Sequence, residues 1–163
     1  MKIRVVAALF IISLLVTLVG CGGSSGGSGP FFDPDELEVM TALDAFAAAI
    51  RAEDRGAALS WVDGNLKWGS LTNPMFYDNF SIKLGAFFNN NQVNDFRLDN
   101  MGISVFDKLA TVRAELVCSY VKSGQSAETV LTESIEIKLE KFSKWGILEA
   151  YPVSSAVLQF PPE

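Results

Sequence analysis

The sequence predicts an α+β domain, with three helices in its first half and an antiparallel meander after them. Three observations carry this expectation. Apolar residues recur at helical spacing from Val39 to Ile50. After the run Asn89-Asn90-Asn91 the apolar period falls to about 2 residues, the signature of half-buried strands. The strand-like segments are joined by short turns, which favour antiparallel pairing over crossover connections. With 163 residues and 49% hydrophobic composition, the chain has the length of one ordinary domain and is too apolar to be disordered.

The first helix is predicted to begin at Asp33, with Pro34 in its first turn and Glu36 in the third position of a capping box. Val39, Met40, Leu43, Phe46, Ala47 and Ile50 form its packing face, with Asp44, Arg51 and Glu53 on other surfaces. Asp54 caps a short second helix through Ala57, Leu59 and Val62, ending at Asp63-Gly64. A third starts at Asn73-Pro74 and sets Phe76, Phe80, Leu84 and Phe87 or Phe88 on a broad apolar face. Phe96 to Phe106 read as an irregular strand broken near Met101-Gly102, and Ala110 to Val121 as a cleaner one. Thr129 to Phe142 form a long strand with Leu131, Ile135, Ile137 and Leu139 on one face, and Trp145 to Val153 the last. One helical layer on one sheet is a workable core without metals or disulfides.

Charge and residue inventory narrow the chemistry. There are 13 basic and 19 acidic side chains, a formal charge of -6, and no His. An acidic balance without a basic cluster argues against nucleic acid as a partner. Without His, there are no His-based triads, His–Cys zinc sites or carboxylate–histidine metal sites. Neither a metal nor a cofactor is expected. The Gly/Ser run Gly22 to Gly29 follows no apolar strand and precedes no phosphate-loop pattern.

Lys2 and Arg4 precede an apolar stretch from Val5 to Val19, short for a membrane span and suited to a secretion signal. It ends in Leu18-Val19-Gly20-Cys21. That tetrapeptide resembles the bacterial lipobox, which implies cleavage before a Cys21 carrying diacylglycerol. The resemblance implies a signal peptide over 1–20 and a lipidated Cys at the head of a Gly/Ser tether over 21–32; the folded domain is expected over 33–155 and a C-terminal tail over 156–163. Several acyl chains would hold such a protein on a membrane, where one alone is marginal. Gly22 after the Cys implies the outer membrane of a diderm; in a monoderm the anchor would lie on the outer face of the plasma membrane. Cys118 is then the lone thiol, expected to be a buried small hydrophobe.

Two stretches carry a second resemblance: Leu43 to Asp54, and Glu140-Lys141-Phe142-Ser143-Lys144-Trp145-Gly146-Ile147. The chain resembles the nuclear-transport-factor-2-like, or SnoaL-like, superfamily from about Asp35 to Tyr151. The resemblance implies a cystatin-like cone, three helices packed on a strongly curved antiparallel sheet, with a pocket at the open end. It also implies candidate acid/base groups, of which Tyr120 and Asp99 are the pair to test, Tyr120 as an oxyanion donor and Asp99 as a base. Trp61, Trp68, Phe76 and Tyr120 are candidates for a pocket wall, against the plainer reading that such large side chains fill the core. The expected function is a non-catalytic envelope lipoprotein that binds a small apolar ligand or a partner protein. The alternative is an isomerase or hydro-lyase on a small apolar substrate. A homodimer built through Val117, Val121, Ile103 and Val105 is a third reading.

Overall fold

The computed structural model describes residues 33–153 and 158–162. The chain divides into two compact units, Met1–Phe31 and Phe32–Glu163. The first unit lies outside the described residues, and with it the expected signal peptide, Leu18, Val19, Gly20, Cys21 and the expected tether. No described helix is long and apolar enough to cross a membrane.

Helix α1 spans Pro34–Arg51. The Asp33 side chain accepts from the Asp35 amide at 2.9 Å, and Asp35 and Glu36 in the first turn complement the helix dipole. Its buried face carries Val39, Leu43, Phe46 and Ile50. Glu53, at φ 55°, turns the chain into α2, Arg55–Leu59. There Asp54 accepts from the Ala57 amide at 2.9 Å. Arg55 donates to Ser81 Oγ at 2.6 Å and ties α2 to the helix that follows.

The chain departs from the sequence expectation after Leu59. Instead of continuing α2, Val62–Trp68 forms a strand, β1. Met75–Phe76 forms a short β2, and α3 starts only at Tyr77 and runs to Asn90. The meander comprises β3 Asn91–Phe106, β4 Leu109–Lys122, β5 Glu128–Lys141 and β6 Trp145–Pro152. Strand β3 begins five residues earlier than its apolar alternation suggests, directly where α3 ends at Asn91. Its register shifts between Asp99 and Gly102, close to the expected break, with Asn100 at φ 55°.

The six strands lie in the order β2-β1-β6-β5-β4-β3. Strand β1 runs parallel to β6, while the other neighbours pair antiparallel. The expected strongly curved, wholly antiparallel cone is therefore corrected. The sheet is mixed and open, with β2 and β3 as free edges, and α3 carries the chain from one edge to the other. The physical reason is β1, which pairs parallel to β6 and shifts register between Val62 and Lys67, where Asp63 accepts from the Asn65 amide at 2.7 Å. Val62, Leu66 and Trp68 still reach the core side.

The helices cover one face of the sheet, and aromatic rings fill the space between. Trp68 sits 4.6 Å from Phe80, centroid to centroid, and Phe46 meets Phe96 edge-on at 5.9 Å. The segment expected to be a tail, 156–163, contributes Leu158, Phe160 and Pro161 to this interior.

Candidate active site

In an antiparallel ladder, side chains at paired positions share a face. Glu133 on β5 pairs with Leu116 on β4, and Leu116 is fully buried in the core. Glu133 therefore projects on the helix-covered side, two positions before buried Ile135. Partial burial pushes its carboxyl above the usual carboxylate range, and a backbone hydrogen bond from Gln159 offsets only part of that rise.

Trp68 ends β1 and is buried. Gly69 follows at φ 96°, a left-handed conformation that favours glycine. Its amide donates to the Ala150 carbonyl at 2.8 Å. Its carbonyl receives the Leu158 amide at 2.8 Å, which brings the C-terminal segment against β1. From there the Gln159 amide donates to Glu133 Oε2 at 2.8 Å, and Trp68 Nε1 donates to the Phe160 carbonyl at 2.5 Å. The Phe160 ring lies 4.9 Å from Phe96, 5.5 Å from Phe87 and 6.3 Å from Trp68, centroid to centroid. A carboxylate and an indole N–H thus both touch one dipeptide, at the edge of an aromatic cage.

The residues singled out from sequence are distributed differently. Tyr120 is in the core, edge-on to Phe87 at 5.2 Å. Asp99 pairs with Glu115 on the opposite face and accepts from Arg97 Nε at 2.8 Å, while Arg97 also binds Asp95. The structure does not bring Tyr120 and Asp99 together. Asp99 instead borders a pocket of about 470 Å³ with Glu36, Met40 and Asn100. Trp61 lines a groove of about 570 Å³ between α1 and the turn before β6, with the Lys144 ammonium 3.9 Å from its ring centroid. Phe76 is exposed. Trp61, Trp68, Phe76 and Tyr120 therefore do not line one common pocket. Ile103 packs on the core side opposite Val112, whereas Val117 lies on the other face opposite Arg97.

Glu133 went unnoticed at the level of sequence, yet its signal was legible. It interrupts the face Leu131, Ile135, Ile137, Leu139 at a position where an apolar side chain belongs. Elsewhere, Glu149 is held below the ordinary range. Burial opposes this, but hydrogen bonds from Lys138, Tyr151 and Lys67 outweigh it. Among the described residues, no three His, Cys, Asp or Glu side chains are grouped to hold a metal ion.

No protein-family model matches the sequence, and no curated protein matches it. Solved structures do match. An NTF2-like protein from Cytophaga hutchinsonii is 7% identical over 76% of this chain and 99% of its own, at a TM-score of 0.61. The fold is that of the NTF2-like, or SnoaL-like, superfamily. A protein from Novosphingobium aromaticivorans, assigned as a scytalone dehydratase, is 8% identical over 77% of this chain and 87% of its own, with a TM-score of 0.67. A ketosteroid isomerase-like protein from Erwinia carotovora atroseptica is 13% identical over 76% of this chain and 99% of its own, with a TM-score of 0.61. These names belong to those proteins. They count against the expectation of a non-catalytic binding module and toward its alternative, an isomerase or hydro-lyase.

Proposed function

We propose that the domain is an acid–base enzyme, an isomerase or hydro-lyase acting on a small apolar carbonyl compound on the helix-covered side of the sheet. The observation that carries this reading is the shared dipeptide. Glu133 accepts from Gln159 and Trp68 donates to Phe160, so a proton acceptor and a carbonyl-oxygen donor lie within one small molecule's length of each other. Ionised Glu133 takes a proton from the carbon beside the carbonyl, and the C–H electron pair passes into an enolate whose oxygen the Trp68 N–H holds. Where the substrate carries a double bond between its β and γ carbons, return of the proton at the γ carbon gives the conjugated isomer. Loss of a β-hydroxyl with that proton gives water and a conjugated carbonyl compound. A carboxyl pushed upward toward neutrality is a better base for such a step than an ordinary one.

Both reactions share proton removal, so one assay tests them together. Deuterium uptake from heavy water beside the carbonyl of cyclohexanone or benzylacetone, followed by proton NMR, should exceed the buffer rate. Glu133→Gln should lower it by about 10²–10⁴-fold. Uptake at the buffer rate with folded protein would sink the catalytic reading.

We further propose that the domain works in a bacterial cell envelope as a lipoprotein, cleaved after Gly20 and acylated at Cys21. The support is the order of basic residues, apolar stretch and Leu18-Val19-Gly20-Cys21. Globomycin should cause the precursor to accumulate, and Cys21→Ser should abolish lipid labelling. Normal labelling of that variant would remove the anchor.

A further inference from the structure

We infer that Gln159-Phe160 occupies the substrate's place as an internal mimic, and that the ligand displacing it is an aryl-alkyl carbonyl compound with the carbonyl on the third carbon from the ring. This rests on Trp68 and Glu133 forming the site, and not on turnover there.

The argument begins with what holds the segment. A strand in this sheet is held by a ladder of backbone bonds, and β4 and β5 pair continuously from Leu109–Glu140 to Val121–Glu128. Gln159 and Phe160 are held instead by side chains, the Glu133 carboxylate and the Trp68 indole. Another carbonyl can take the Trp68 bond, and water can donate to the partly exposed Glu133. Indole N–H is a donor only, and an ionised carboxylate an acceptor only. The Trp68 end therefore selects a carbonyl oxygen, while Glu133, which holds the Gln159 amide, is freed when the segment leaves. Beside the Trp68 indole the Phe160 ring is fully buried, seated among Phe96, Phe87 and Trp68. These walls set the apolar part of the ligand as a single flat ring, because aromatic faces and edges surround it.

The covalent path from ring to carbonyl in Phe160 runs through Cβ and Cα. Benzylacetone repeats that path: ring, two methylene carbons, carbonyl. Butylbenzene has the same ring and chain length without the oxygen. The segment thus acts as an autoinhibitory occupant, and occupation by ligand requires its departure. Opening of such a segment belongs to the local fluctuations that precede global unfolding.

The test uses the full chain and reads amide hydrogen exchange at Leu158 and Gln159, with Ile137 and Leu139 in β5 as references. Saturating benzylacetone should accelerate exchange at Leu158 and Gln159 by about tenfold or more and leave the β5 amides unchanged or slower. Butylbenzene should do markedly less, and Trp68→Phe should abolish the difference between the two compounds. Unchanged or slowed exchange at Leu158 and Gln159 would overturn the inference, as would equal effects of both compounds on the wild-type chain. Displacement without deuterium uptake would uphold this site and defeat the catalytic reading. Uptake without displacement would do the reverse.

Discussion

Trp68 and Phe160 stand 92 residues apart in the chain, yet the indole nitrogen of one donates to the carbonyl oxygen of the other at 2.5 Å in the buried interior. Together with the bond from the Leu158 amide to the Gly69 carbonyl, it closes the C-terminal segment onto the first strand. Both residues are at or below 1% exposure, so neither polar atom has water to fall back on.

Trp68→Phe keeps a ring among Phe46, Phe80 and Phe160 but deletes the donor. The Phe160 carbonyl then stays buried without a partner, and the loss of stability should be about 1–3 kcal/mol. Urea unfolding of wild type and variant measures it. A change well below that range would mean that the carbonyl finds another donor or that the segment leaves its seat.

Phe96→Ala removes the ring that contacts both Phe46 at 5.9 Å and Phe160 at 4.9 Å. It should cost about 3–5 kcal/mol, the range for truncating a buried aromatic residue. The comparison is Phe142→Ala at an exposed site, which should shift the midpoint by no more than about 0.5 kcal/mol. Equal effects of the two substitutions would contradict the placement of the aromatic core.

Much of this arrangement is written in local patterns. Helix α1 follows from Asp33, Pro34 and the spacing of Leu43, Phe46 and Ile50. Strands β4 and β5 follow from alternation, as Val112, Ala114 and Leu116 show. Strand β1 escaped because Val62-Asp63-Gly64-Asn65 has the chemistry of a turn. Only Leu66-Lys67-Trp68 alternates, and tertiary pairing with β6 supplies the rest. The same omission concealed the parallel pairing, since a strand not foreseen cannot be given a direction. The C-terminal segment carries no local sign of its burial, since Pro161-Pro162 cannot extend a helix or a central strand. Burial of Phe160 depends on a cage whose walls come from β1, α3 and β3, and no local window contains it. Of the site itself, Glu133 was legible as a charge on an apolar face. Its partner Gln159 was not, because that contact joins positions 26 residues apart.

Cys118 should be chemically silent in the folded protein. Burial, with the nearby Asp95 charge adding to it, pushes its thiol up to about 12, and only the thiolate attacks disulfide reagents. In a Cys21→Ser background, Ellman's reagent at about pH 8 should release no chromophore from native protein and one equivalent per chain in denaturant. Rapid native reaction would place the thiol in an open, electropositive setting that the β4 geometry does not provide.

Glu133 links stability to pH with a definite sign. Burial raises its carboxyl in the folded chain, so the folded state holds this proton more tightly than the unfolded state does. The stabilising contribution is therefore complete below the ordinary Glu value of about 4.3 and is lost as pH rises through the raised folded value. Glu133→Gln mimics the protonated group at every pH. The variant should therefore be more stable than wild type at neutral pH, and the gap should close toward about pH 4. Urea midpoints of both proteins across that range provide the measurement. A gap that widens on acidification would mean that the carboxylate is stabilised in its charged form by the Gln159 amide, and the elevated base invoked for catalysis would be lost with it.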